Sequence, residues 1–247
     1  MDDRHVTEAD AIAAVDGVSG FLSHDQASRL LRRARELRPP ATIVEIGSYH
    51  GRSAIVLALA APECGVVAID PFAGNDRGPQ QIAGSREEGE ADMAAFRGNL
   101  ERAGVTGSVR HVRLPSGEAL GAVPGEVDLL FVDGAHRYAP ARDDLARWGA
   151  RVRPGGTLLV HDAFSSVGVT LAILRLLVLR RGFRYVGRSR SLAEYRREKL
   201  GGSARLASAL RQLAQLPWFA RNVAIKLALV AHLRPVARAL GSEEWPY

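Results

Sequence analysis

A glycine turn and two strand-end clusters hold the residues able to do chemistry. The stretch Ile43-Val44-Glu45-Ile46-Gly47-Ser48-Tyr49-His50-Gly51-Arg52-Ser53 passes from an apolar run through glycines into a helical pattern. Such a turn leaves backbone N–H groups at a helix N-terminus facing a ligand. It is not the G-x-G-x-x-G of dinucleotide sites, because Tyr49 stands where a second glycine would let a pyrophosphate approach, and this argues against NAD. Asp70 closes the next apolar run about 20 residues on, the length of one βαβ repeat, and offers two acceptor oxygens. Further along, Phe131-Val132-Asp133-Gly134-Ala135-His136-Arg137-Tyr138 and Leu159-Val160-His161-Asp162-Ala163-Phe164 each run from apolar residues into an acid and a histidine. In open α/β sheets ligands sit outside the carboxyl ends of the strands, so Asp133, His136, His161 and Asp162 should converge beside whatever the glycine turn binds.

The elements that must position these groups alternate in type. Apolar runs at Thr42–Ile46, Val66–Asp70, Val109–Arg113, Val127–Asp133 and Thr157–His161 read as strands of a parallel sheet covered on both faces. Ser53–Ala60 and Tyr138–Val152 read as helices, the second stopping before Pro154-Gly155-Gly156. Ser23-His24-Asp25-Gln26 has capping-box form and opens a helix through Leu37. Gly168–Arg181 reads as a covering helix, and Phe183–Arg188 with Ser191–Arg196 as an antiparallel hairpin. The glycines between Phe72 and Glu90 favour a mobile, lid-like loop. Three segments follow: an N-terminal helical segment at 1–40, a catalytic domain at 41–200, and a basic, apolar helical extension at 201–247. In the extension, Leu206, Leu210 and Leu213 form a stripe that should pack on something.

The chain has 247 residues, 47% of them hydrophobic and 24% charged, which is ordinary globular composition. A lone Cys64 excludes an internal disulfide and a Cys-rich zinc site, no long apolar span occurs, and the start does not fit a secretory signal, so a cytoplasmic location is the default. Charge is uneven. Residues 1–162 carry −5 and residues 163–247 carry +11. That asymmetry fits a solvated arginine-rich face, or peripheral contact of 203–240 with an anionic membrane; no nucleic-acid module is recognisable, and a homodimer stays open.

The turn E-x-G-x-x-x-G-x-S, followed by Asp70, resembles motif I of class I S-adenosylmethionine-dependent methyltransferases in its catechol-type and caffeoyl-CoA-type O-methyltransferase form. The D-G-x-H-x-Y and H-D stretches, with Pro-Gly-Gly between, resemble a group that includes macrolide-sugar O-methyltransferases, over about residues 20–197. The resemblance implies a Rossmann-like α/β fold with a seven-stranded, mostly parallel sheet whose last strand is antiparallel. It implies an S-adenosylmethionine site at Glu45, Gly47, Ser48, Tyr49, Gly51, Ser53, Asp70, Ser116 and Asp133, with Ser53 toward the cofactor carboxylate and Ser116 toward adenine. It further implies His136 as the base and a divalent cation such as Mg²⁺ held by Asp133, His161 and Asp162. His161 departs from the family pattern by offering nitrogen where Mg²⁺ prefers oxygen.

Other roles for the same residues stay open at this level. Ser53 suits a first helical turn, Ser116 an N-cap, Asp133 a helix cap, and His136 a hydrogen bond to Asp162, while Asp143 and Asp144 read as solvent-facing. Methyl transfer to a hydroxyl of a small molecule, a sugar or glycosylated natural product ahead of a catechol, is the function the resemblance implies. Only 6% of the chain is aromatic, which weighs mildly against an aromatic acceptor. The alternatives are a metal-independent methyltransferase with another acceptor and an NAD-linked oxidoreductase, the latter opposed by Tyr49 and by the antiparallel ending.

Overall fold

The computed structural model describes residues 6–74, 83–178, 182–242 and 244. Seven strands form one sheet: β1 (Thr42–Ile46), β2 (Gly65–Ile69), β3 (Val109–Val112), β4 (Val127–Val132), β5 (Val152–Val160), β6 (Gly182–Ser189) and β7 (Leu192–Glu198). Their order across the sheet is β3-β2-β1-β4-β5-β7-β6. The pairs among β1 to β5 are parallel, while β7 runs antiparallel to both β5 and β6. This is the Rossmann-like sheet with an antiparallel closing strand that the sequence led us to expect. Strand β5 starts at Val152, ahead of the expected Thr157, because the Pro-Gly-Gly residues enter the extended run instead of preceding it.

The strands alternate between two apolar faces, which is why they read as nearly continuous hydrophobic runs. Ile43, Leu129, Phe131 and Leu159 point to one side, where they meet α1 (Glu8–Ala13), α2 (His24–Arg35), α3 (Arg52–Ala60) and α4 (Arg86–Arg102). Val44, Ile46, Leu130, Val132 and Leu158 point to the other, under α5 (Tyr138–Arg147) and α6 (Val167–Ile173), which continues in a π turn at Leu174–Val178. Helix α2 is clamped to the last strand. Arg29 Nη1 lies 2.5 Å and Arg33 Nε 2.8 Å from the carboxylate of buried Glu194.

The lid expected over Phe72–Glu90 is corrected in part. Residues 75–82 lie outside the described residues, but 86–90 are the first turn of α4. A Cβ on Gly89 would sit 2.0 Å from the Phe72 carbonyl oxygen, and one on Gly74 2.2 Å from that of Ser85. These glycines serve close backbone packing, not loop freedom. The extension forms α7 (Gly202–Leu213), α8 (Leu216–Val230) and α9 (Arg234–Ala239). Here too a correction applies: α7 turns its leucine stripe outward and buries Ser208 and Gln212. Among the described residues no helix is long and apolar enough to cross a membrane.

Candidate active site

The carboxyl ends of β1, β2, β4 and β5 open on a cavity of about 460 Å³. That is a volume typical of small-molecule sites, roughly 300–1,000 Å³. Gly47 leaves β1 at φ 85°, and a Cβ there would lie 2.2 Å from the Asp133 carbonyl oxygen. Only glycine lets the first turn and the end of β4 close on each other in this way. Gly51, also at φ 85°, caps α3 and packs against the Phe96 ring.

Asp70 organises the turn. Its Oδ2 accepts from the Ser48 and Tyr49 N–H groups at 2.9 and 3.0 Å, and its Oδ1 from the Phe72 N–H at 2.8 Å. The carboxylate reaches the cavity wall while holding the backbone that lines it. Beneath, Glu45 is wholly buried. Burial pushes its carboxyl up to about 8; the Ser53 and Ser48 hydroxyls pull the other way, and the nearby Asp133 and Asp70 charges add to the rise. His50, next to the turn, pairs its Nε2 with Asp92 Oδ1 at 3.0 Å and stacks on Tyr49.

Ser116 lines the cavity and donates to Asp144 Oδ1. Asp144 corrects the solvent-facing expectation, since it is 5% exposed and lines the same cavity, whereas Asp143 stays in solvent. Its carboxyl is raised to about 6 by burial, against the Ser116 hydrogen bond. The signal was available in the helical stripe Ala141, Leu145 and Trp148, which places residue 144 on the inward face.

The second cluster lines the same cavity. His136 Nε2 lies 2.7 Å from Asp162 Oδ2, and His161 Nδ1 lies 3.0 Å from Asp133 Oδ1 and 3.5 Å from Asp162 Oδ2. Burial works against a charged imidazole at both histidines, but the two carboxylates overcome it and raise both. Asp162, despite burial, is held well below the usual carboxylate range by His161 and His136. The loop carrying His136 is pinned from α6, where the Ser166 hydroxyl donates to the His136 carbonyl at 3.1 Å and Gly168 packs directly beneath it. Asp162 and Phe164 both adopt left-handed backbone, at φ 54° and 57°.

Of the nine residues expected to hold a nucleoside cofactor, Gly47, Ser48, Tyr49, Ser53, Asp70, Ser116 and Asp133 line one cavity, while Glu45 is buried behind it and Gly51 caps α3 against Phe96. The Gly47 close approach and the acidic wall of Asp70 and Asp133 fit a ligand that carries positive charge. For a cation, Asp133, His136 and Asp162 bring one ligand atom each within 4.8 Å of one another, two oxygens and a nitrogen, a set that fits a divalent ion. His161 stands behind this trio with its side chain 1% exposed, oriented on Asp133.

A methyltransferase-domain family model matches residues 44–163. The chain is 30% identical over 219 residues to ribosomal RNA small subunit methyltransferase G of Salinispora arenicola (strain CNS-205), an alignment covering 81% of this chain and 84% of that one. It is 28% identical over 126 residues to uncharacterized protein R132 of Acanthamoeba polyphaga mimivirus, covering 49% of this chain and 51% of that one, so it spans about half the length of that relative. Among solved structures, the O-methyltransferase TomG of Streptomyces achromogenes, in complex with SAM, is similar with a TM-score of 0.55 at 18% identity, over 81% of this chain and 92% of that one.

Proposed function

The chain belongs to the class I S-adenosylmethionine-dependent methyltransferases, and we propose that it methylates a hydroxyl oxygen of a small molecule, with a sugar or glycosylated natural product as the acceptor class. One observation carries this reading: the 2.7 Å pairing of His136 with Asp162 in the wall of the cavity. The acceptor class draws support from a lining in which Arg52, Asp92, Asp133, His136 and Arg137 accompany only three aromatic rings, Phe21, Tyr49 and Phe72, among the described residues.

Bound S-adenosylmethionine would supply an electrophilic methyl on a sulfonium. Gly47, Ser48, Asp70 and Ser116 are the residues that would hold it, and the acidic wall would balance its charge. His136 donates Nε2–H to Asp162, which fixes the tautomer and leaves Nδ1 as the nitrogen able to take the acceptor proton. Asp162 then stabilises the imidazolium. A base so placed typically contributes about 10²–10⁴-fold, and holding the two reactants in line removes roughly 7–11 kcal/mol of barrier.

A second reading is favoured by the convergence of Asp133, His136 and Asp162. A divalent cation there would supply Lewis acidity toward the acceptor hydroxyl, and His136 would be its ligand and not the base.

The test is calorimetry with S-adenosylmethionine, followed by transfer of its labelled methyl to a panel of sugars, glycosides, catechols and small-subunit ribosomal RNA, with EDTA and Mg²⁺ or Mn²⁺ arms. Label recovered as a methyl ether on a sugar oxygen supports the reading, and an unchanged rate in EDTA favours the metal-free base. Label found only in RNA, or only on nitrogen or sulfur, would sink it.

A further inference from the structure

Helix α7 is inside out. Its buried residues are polar: Ser208 accepts the Tyr185 N–H at 3.0 Å, and the Gln212 amide donates to the Ser208 carbonyl. Its outward face carries Leu206, Leu210 and Leu213, with Leu206 61% exposed. Helices of water-soluble surfaces bury the apolar stripe and expose the polar one. Helices α8 and α9 bury Ile225, Ala228 and Ala237 against each other, yet along them and the turn between them Leu227, Val230, Leu233 and Val236 all stand exposed. Polar contacts to the catalytic body fix these helices in place. Arg211 donates to the Val186 carbonyl, Arg188 donates to Gln215 and stacks over Trp218, and Asn222 donates to the buried Phe164 carbonyl at 3.2 Å.

Charge selects the partner. Residues 199–242 contain seven Lys and Arg and no Asp or Glu. Two copies meeting symmetrically through this segment would bring together two stretches of the same positive sign, exposed Lys199 and Arg234 among them, with no Asp or Glu within 199–242. An RNA backbone would satisfy the cations but leave the leucines with nothing to bury against. A bilayer with anionic headgroups answers both features, taking the leucines among the acyl chains and the cations at the phosphates. The 15 residues of α8 span about 22 Å, short of the roughly 30 Å hydrocarbon core, so the helices lie on the surface and do not cross it.

We infer that α7–α9 form a peripheral docking face for an anionic membrane. Helix α8 carries this face on one side and the catalytic loop on the other. Beyond the Asn222 bond, Lys226 Nζ donates to the Ser165 carbonyl and hydroxyl at 3.0 and 3.2 Å, three residues past Asp162. Docking therefore sets the reacting centre beside the membrane, a position suited to an acceptor carried on a lipid.

The test is co-sedimentation of the full chain with vesicles of phosphatidylcholine, alone or mixed with phosphatidylglycerol. The expected result is binding to the mixed vesicles only, falling with salt. The variant Leu206→Ser/Leu210→Ser/Leu227→Ser/Val230→Ser should bind at least about a hundredfold more weakly while its calorimetric affinity for S-adenosylmethionine stays unchanged. A second variant, Lys199→Glu/Arg234→Glu, alters only exposed cations and should lose about tenfold or more. Failure of the full chain to bind mixed vesicles overturns the inference, as does binding that survives both variants. Retention on RNA without vesicle binding overturns it as well, and so does a dimer that the serine variant dissociates without vesicle binding. Cofactor affinity is read separately, so failure here leaves the enzymatic reading standing.

Discussion

Asp162 Oδ2 sits between two imidazoles, 2.7 Å from His136 Nε2 and 3.5 Å from His161 Nδ1. One carboxylate thus orients the half-buried ring of His136 and touches the buried one of His161. Replacing His136 by Asn removes the proton acceptor while leaving Gly47, Ser48, Asp70 and Ser116 in place. The expected outcome is a kcat lower by about 10²–10⁴, with the calorimetric affinity for S-adenosylmethionine unchanged. Equal activity of the variant across the pH range would remove His136 from the mechanism.

Gly47→Ala puts a methyl against the Asp133 carbonyl, 2.2 Å away, at a backbone angle unfavourable to alanine. The turn must shift. We expect a loss of about 1–3 kcal/mol in stability and cofactor binding weakened beyond that loss, read by urea unfolding and calorimetry on the same preparation. A Gly51→Ala control meets a ring edge at 3.0 Å instead of backbone and should cost the cofactor less.

Asp70→Ala frees three backbone N–H groups, those of Ser48, Tyr49 and Phe72. Cofactor affinity should fall at least tenfold, by roughly 1.5–3 kcal/mol of charge-assisted hydrogen bonding. Asp70→Asn keeps one acceptor oxygen and should fall between the two. Titrations of the three proteins with S-adenosylhomocysteine check this order.

Glu45 makes stability depend on pH. Its carboxyl titrates near 4.5 in the unfolded chain and at about 8 in the fold, so between these values the folded protein holds a proton that the unfolded chain has released. Stability is therefore greatest at the acid end of the window, falls as pH rises through it, and levels off above about 8, a loss on the order of a few kcal/mol. Glu45→Gln should flatten that slope. Urea unfolding of both proteins without cofactor, from about pH 5 to pH 9, measures it, and parallel curves would contradict the assignment.

The fold was legible because its strands are short apolar runs bounded by Gly and Pro; Thr42–Ile46 was read to the residue. The glycine turn and the strand-end acids were legible because their types and spacing are unusual together. Three features were not. The glycines of 84–89 look like loop residues, and their real role, approach to the Phe72 and Ala73 carbonyls, depends on a partner segment no local pattern specifies. Asp144 was hidden by its exposed neighbour Asp143, though the helical period of α5 would have placed it inside. The direction of the α7 stripe was unreadable for a different reason. Periodicity shows that a helix has two faces, but which one meets the body was decided by Ser208 and Tyr185, far apart in sequence.

Strand β7 enters the sheet between β5 and β6, although it is the last strand to be made. A nascent chain on the ribosome therefore holds β5 with a bare edge, and Arg29 and Arg33 without their carboxylate, until residue 194 has emerged. Bare edges of this kind recruit other strands. A chain cut short anywhere before β7 would leave the β5 edge unpaired and Arg29 and Arg33 without Glu194, so the closing hairpin completes both the sheet and the α2 clamp.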